Sequence, residues 1–320
     1  MDPVLRPLTL DDVPAWAELL AEVEAADRTG EHHSPADLEE QLTAPETQPE
    51  DRMGAFDGDR LVGYFTVLPR GETEGVFAVH VAGGVLPARR GEGIGSRLVT
   101  GMIHRGSAVA AARRPDLPAR LSTFTVATNR GAADLLGRAG MRPVRTDHVM
   151  RTALTGLAAA PELPDGYAVR PYDDSLADAV RVAHNEAFGG HHRGFAPWSE
   201  EAWHHQVTAS SSFRPGLSRV VTTRDGRIAG YLITHDYAGD EAATHRRDAH
   251  IARVGTLLEH RGRGIATALL LHCLHSYAEA GYDEASLGVD TENPSGAGRI
   301  YQRVGFRVDK EWTTFAMTTS

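Results

Sequence analysis

The chain contains one fold pattern twice, and this duplication restricts its architecture more than any other feature. "VLRPLTLDDVPAW" at 4–16 is answered by "AVRPYDDSLADAV" at 168–180, each a short strand ending in Arg-Pro before an acidic helix opening. "AFDGDRLVGYFTV" is answered by "TTRDGRIAGYLIT", "ARRGEGIGSRL" by "EHRGRGIATAL", and "NRGAADLLGRAGM" by "NPSGAGRIYQRVGF". Arg170 follows Arg6 by 164 positions, Gly230 follows Gly63 by 167, Arg261 follows Arg90 by 171, and Gly305 follows Gly140 by 165. An offset this steady means two copies of one domain. The boundaries it implies are 1–152 for the first copy and 167–320 for the second, with the Gly/Pro/Ala-rich stretch 153–166 as a linker.

Within each copy the order is a strand, helices, a hairpin turning at Asp57-Gly58 or Asp225-Gly226, a long strand, a glycine-rich turn, a helix, a strand, a helix and a final strand. An antiparallel hairpin feeding a β-α-β crossover predicts an α/β (α+β mixed) fold, each copy a mostly antiparallel sheet packed with helices. The polar stretch 27–52 reads as surface loop with a short helix. Its counterpart, 189–216, carries Trp198, Trp203 and four histidines, which suits either the lining of a ligand site or the cover of a core edge.

With 41% hydrophobic and 24% charged residues the chain reads as soluble and globular. A formal charge of −10 argues against a nucleic-acid partner, which needs a concentrated basic surface to displace counterions. The longest strongly apolar stretch, Ile265 to Leu274, is too short to cross a bilayer, so no membrane partner is expected. The opening "MDPVLRPLTLDD" lacks the basic and apolar regions of a secretory signal, and the single cysteine, Cys273, favours the cytoplasm and a buried structural thiol. The adjacent pairs His32-His33, His191-His192 and His204-His205 suggest zinc, but there is no His-Glu-x-x-His or cysteine ligand set, and no metal is expected. A monomer or homodimer is the expected assembly.

The turn "EHRGRGIATALLLH" at 259–272 is the strongest chemical signal. Glycine-rich turns that open helices hold anions, because the first N–H groups of a helix lack partners and sit at the positive end of its dipole. Small residues at 262, 264 and 266 allow close backbone approach to phosphate, Arg261 and Arg263 add charge, and Thr267 offers a hydroxyl.

With its flanking strand and duplicate, this pattern resembles the GNAT superfamily of acyl-CoA-dependent N-acetyltransferases. The first copy supplies Val85, Pro87, Arg90, Gly93 and Gly95; the second supplies Arg261, Gly264 and Ala266, with Thr256 and Leu258 in place of the valine and proline. Asn293, Tyr301, Gly305 and Phe306 complete the second set. The resemblance implies that acetyl-CoA is the acyl donor, its pyrophosphate cradled by Gly262, Arg263, Gly264, Ile265, Ala266 and Thr267. It also implies that the strand 249–257 splays from its neighbour, so that Val254, Gly255 and Thr256 pair with the pantetheine arm and polarise the thioester.

By family position Tyr301 is the general acid for the departing thiolate. Many members place a glutamate base six residues before the motif's valine; counting back from Thr256 gives His250, with Asp248 placed to orient the imidazole or relay a proton. The first copy has Leu136 and Val79 at the acid and base positions. It retains a possible second donor site at Val85, Arg90, Gly91, Gly93, Ile94, Gly95 and Ser96, but reads as catalytically degenerate. The expected acceptor is the primary amine of a small molecule. A non-catalytic acetyl-CoA sensor or scaffold and a protein lysine acetyltransferase remain open alternatives.

Overall fold

The computed structural model describes residues 3–45, 48–189, 195–292 and 296–319. The chain forms two compact units, Met1–Thr146 with Trp312–Ser320, and Asp147–Glu311. In chain order the first copy contributes β1 (Val4–Pro7), α1 (Val13–Asp27), α2 (Pro35–Thr43), β2 (Arg52–Asp57), β3 (Arg60–Thr73), β4 (Val76–Val85), α3 (Ile94–Arg113), β5 (Ala119–Val126), α4 (Arg130–Arg138) and β6 (Arg142–Ala153). The second contributes β7 (Tyr167–Pro171), α5 (Ala177–Phe188), α6 (Glu200–Trp203), β8 (Arg219–Thr223), β9 (Ile228–His235), α7 (Ala238–Thr244), β10 (Asp248–Thr256), α8 (Ile265–Glu279), β11 (Glu284–Asp290), α9 (Ala297–Arg303) and β12 (Arg307–Thr319).

Each unit has the mostly antiparallel sheet that the repeat predicts. In the first unit β1 to β4 pair antiparallel, β4 lies parallel to β5, and β5 pairs with β12. In the second, β7 to β10 pair antiparallel, β10 lies parallel to β11, and β11 pairs with β6.

The last strand of each unit departs from the boundaries drawn from the repeat. Residues 312–319 of β12 pair with β5, and residues 147–153 of β6 pair with β11. Each copy therefore donates its terminal strand to the sheet of the other copy. Sequence similarity marks which segments are duplicated, whereas the edge on which a strand pairs is decided by register and packing.

In the second unit α8 buries Leu269, Leu270, Cys273 and Leu274 against Ala249 and Ile251 of β10 and Ala285 and Leu287 of β11. Burial pushes the Cys273 thiol up to about 12, which makes it an inert structural group. The opposite face is covered by Val180 and Ala183 of α5 and Trp203 of α6, packed on Val220, Tyr231 and Ile233. The 189–216 excursion thus covers core through Trp203, while Trp198 borders the site described below. In the first unit α3 packs Leu98 and Met102 on Val79, Val81 and Leu121, and Phe315 of β12 belongs to that same core.

The exchange has a direct consequence. Phe315→Ala should destabilise the first unit by about 3–5 kcal/mol, even though the residue lies at the end of the second copy. Hydrogen exchange read by mass spectrometry should show faster opening of β4 and β5, with β9 and β10 much less affected.

Candidate active site

The parallel ladder between β10 and β11 covers only Asp248–Ile251 against Glu284–Leu287. Beyond Ile251 the two strands part: residues 253–256 stay registered with β9, and residues 288–290 pair with β6. The Leu257 N–H bonds the Ala229 carbonyl (3.0 Å), so alternation along the strand turns the amides of Val254 and Thr256 to the open edge and that of Gly255 toward β9. Glycine is required at 255 for another reason. A Cβ there would lie 2.5 Å from the Tyr231 hydroxyl oxygen, which packs on this strand and is hydrogen-bonded to His184 Nδ1 (2.6 Å).

At the end of the open edge the chain makes the glycine turn. Gly262 and Gly264 have φ of 74° and 80°, in the left-handed region that glycine tolerates, and a Cβ at either would project into open space. The first bond running back from α8 is Ala268 N–H to the Gly264 carbonyl (3.0 Å), and among the described residues the amides of 262–267 make no backbone hydrogen bond. The cradle, the unpaired strand edge and the buried, unpartnered Thr256 hydroxyl fit the phosphates and amides of a coenzyme A arm.

Arg261 is used differently from the charge donor expected at its position. Its Nε bonds the Thr256 carbonyl and an Nη the Ala187 carbonyl, both at 2.9 Å, so it fastens the turn to β10 and to the end of α5. Arg90 does the equivalent in the first unit, with Nε on the Val85 carbonyl (3.3 Å) and a bidentate pair with Asp27 of α1. Arg263 remains exposed, its one hydrogen bond a long one to the Glu259 carbonyl (3.4 Å). Asn293 lies outside the described residues.

His250 and Asp248 are brought together through a residue that sequence reasoning missed. Ser286 of β11 donates to Asp248 Oδ2 (2.5 Å), and its oxygen lies 2.9 Å from His250 Nδ1. A hydroxyl has one proton. With Asp248 ionised that proton goes to the carboxylate, Nδ1–H donates to Ser286, and His250 Nε2 is left with its lone pair free. Asp248 is itself held by Arg151 (3.0 Å), which also pairs with Glu284 and Asp309. Burial pushes the Asp248 carboxyl up, against the pull of Arg151 and Ser286. Burial, then the charges of Arg253 and Arg151, lower the His250 imidazole from its ordinary 6.5 to about 4. It is therefore neutral at physiological pH.

Tyr301, in the last turn of α9, has its ring in the core beside Phe306 and no hydrogen bond to its hydroxyl among the described residues. Burial holds its phenol up at about 12, so it keeps its proton at neutral pH. In the first unit the ladder between β4 and β5 likewise ends early, at His80 and Ser122, and Gly91 and Gly93 repeat the left-handed turn before Ile94, Gly95 and Ser96. Leu136 and Val79 are buried core residues, but the register corrects the count that put Val79 at the base position: His80, opposite Leu68, is the equivalent of His250, opposite His235, because the bulge in β10 adds a residue that β4 lacks.

The second unit thus combines an open strand edge that leads into a glycine turn at a helix opening with a neutral imidazole and a protonated phenol, groups that acyl transfer could use. The family model for the acetyltransferase (GNAT) family matches residues 16–141 and 178–306, and the chain belongs to this family of acyltransferases. It is similar to the mycothiol acetyltransferase of Thermobispora bispora, 30% identical over 270 residues that cover 82% of this chain and 81% of that one. The mycothiol acetyltransferase of Tsukamurella paurometabola is 28% identical over 319 residues, 95% of this chain and 96% of its own. Among solved structures, a GCN5-related N-acetyltransferase from Sphaerobacter thermophilus aligns with a TM-score of 0.75 at 27% identity, covering 98% of this chain and 95% of that one. A tandem GNAT protein from the clavulanic acid biosynthesis pathway shares the fold, with a TM-score of 0.69 at 20% identity over 99% of this chain and 98% of its own.

His250 and His235 fix an acid sensitivity. His235, buried on β9, is lowered to about 3 by burial and by its neighbours His250, Arg253 and Arg214. Unfolded imidazoles titrate near 6.5, so between that pH and the folded values the unfolded chain binds more protons. The stability present above pH 6.5 should fall as pH drops from about 6.5 toward 4 for His250 and toward 3 for His235, with these two contributions levelling off below. Denaturant titrations at stepped pH should show this slope flattened in His235→Gln/His250→Gln.

Proposed function

We propose that the second unit transfers an acetyl group from acetyl-CoA directly to the primary amine of a small molecule. The observation that carries this reading is the asymmetry between two similar frames: a phenol on α9 and the carboxylate of Asp248 stand in the second unit where the first has Leu136 and Ala78, while both frames place an imidazole, His250 or His80, opposite a serine of the parallel neighbour. Acetyl-CoA, when bound, supplies an electrophilic thioester. Gly262, Arg263, Gly264, Ile265, Ala266 and Thr267 would hold its phosphates, and the amides of Val254 and Thr256 would line the pantetheine arm.

A backbone donor at the open edge strengthens as charge develops on the carbonyl oxygen, which lowers the barrier and not merely the binding energy. His250 Nε2 takes a proton from the attacking amine. Ser286 and Asp248 hold the ring in the tautomer that leaves this nitrogen unprotonated. The Tyr301 hydroxyl gives its proton to the departing sulfur. Fastened by Arg90 and Asp27, the first unit's turn retains the features of a donor cradle without a counterpart of Tyr301 or Asp248, so it serves as a binding or structural unit. The similarity to mycothiol acetyltransferases supports a small amine as acceptor, and an amine on a sugar-linked thiol precursor belongs in the first panel tested.

Two experiments test the reading. Gly264→Val forces a β-branched side chain into a left-handed position and fills the cradle; calorimetry should show acetyl-CoA affinity severely weakened, while Gly93→Val leaves most turnover intact. Complete loss of activity in folded Gly93→Val would reject a silent first unit. Tyr301→Phe keeps the ring's packing and removes the proton, so kcat should fall about 10²–10⁴-fold with acetyl-CoA affinity nearly constant. Wild-type kcat in that variant would remove the acid role.

A further inference from the structure

Arg253 carries a charge that the protein does not balance. Its guanidinium is partly buried, donates to the Ala252 carbonyl (2.6 Å) and lies over the Trp198 ring at 5.3 Å. The ionisable groups that act on it are the phenols of Tyr237 and Tyr231, and among the described residues no carboxylate pairs with it. The stretches 190–194 and 293–295 of this unit contain no aspartate or glutamate in the sequence. Removing a cation from water is costly unless an anion meets it.

A second orphan lies on the same side of the sheet. His235 is 4% exposed, its Nδ1 is bonded to the Ser212 hydroxyl at 2.6 Å, and its Nε2 has no partner. When Ser212 donates to Nδ1, Nε2 carries the proton and is a donor without an acceptor. His235 stands directly opposite His250 in the β9–β10 register. Arg253 and His250 are three residues apart and would face opposite sides of a regular strand. The bulge between Ile251 and Arg253 inserts one residue and returns both to one face.

We infer that the acceptor amine also carries an oxyanion, a carboxylate or a phosphate, which Arg253 and His235 hold beside the base. This rests on the amine acetyltransferase reading above and names the class of its substrate. A guanidinium that spends one N–H on a carbonyl and lies 5.3 Å from an aromatic ring centroid keeps N–H groups that can meet two oxygens at once, which a neutral amine would leave unused. Occupancy also serves the chemistry. Of the two charges that depress the His250 imidazole, Arg253 acts more strongly than Arg151. An oxyanion on the guanidinium offsets that field, so the base gains basicity when the correct acceptor arrives.

The test uses the full chain with saturating acetyl-CoA. Amines are offered in matched pairs: α- and ω-amino acids against their carboxamides, and O-phosphoethanolamine against ethanolamine. In parallel, calorimetry on the CoA-saturated protein measures binding of the N-acetylated member of each pair, which needs no turnover.

The expected result is a preference of about 10- to 100-fold for anionic members, in kcat/KM and in binding, abolished in Arg253→Gln and partly restored in Arg253→Lys. The carboxylate and phosphate pairs separately report which oxyanion is favoured. Neutral members equal to or better than their anionic partners, binding of no anion, or an equal loss for both members in Arg253→Gln would overturn the inference. Acetylation of neutral amines alone would leave the acetyltransferase reading standing and remove this one. Arg253-dependent anion binding without acetylation of any amine would do the reverse.

Discussion

Parallel pairing between β10 and β11 lasts four residues and then stops, and the chemistry proposed for the second unit depends on that stop. Had the ladder continued, the amides of Val254 and Thr256 would be consumed within the sheet, and no donor would remain for a thioester oxygen. The first unit parts at the equivalent place, between β4 and β5, although its bulge lies elsewhere, between Pro69 and Gly71. The opening therefore belongs to the fold. The bulge in β10 has the separate task of turning Arg253 to the face that carries His250.

Much of this was legible in the chain. Glycines at 262 and 264 announce a left-handed turn because few other residues accept that backbone, and the structure finds φ of 74° and 80° there. The order of elements and the mixed sheet also followed from the repeated motifs, and the early parting of β10 from its neighbour followed from the family resemblance. What escaped was whatever depends on register. Ser286 is an ordinary polar residue in sequence and acquires meaning only opposite His250 on a parallel neighbour. Arg253 is misplaced by simple alternation, because an inserted residue reverses it. Tyr231 follows Gly230 within a matched repeat segment, yet only the structure shows its hydroxyl occupying the space that Gly255 leaves.

The exchange of terminal strands gives the degenerate copy a physical reason to persist. Residues 312–319 close the first unit's sheet, and residues 147–153 close the second's. A chain reduced to the second copy would lose β6 from β11 and leave the end of β12 without β5. Stability thus ties the copy with Leu136 to the copy with Tyr301. The same economy appears in the arginines: Arg90 and Arg261 spend their donors on fastening the turns, so phosphate recognition falls to backbone amides that cannot be lost by changing a side chain.

The central claim is that the open edge of β10 and the turn before α8 hold the acyl donor. Hydrogen exchange by mass spectrometry with and without coenzyme A reads those amides directly, because they are the ones left without partners in the free protein. The expected result is strong protection on binding in peptides covering 254–257 and 262–267. Saturating coenzyme A that leaves both segments unprotected, or that protects only 85–96 in the first unit, would contradict the claim.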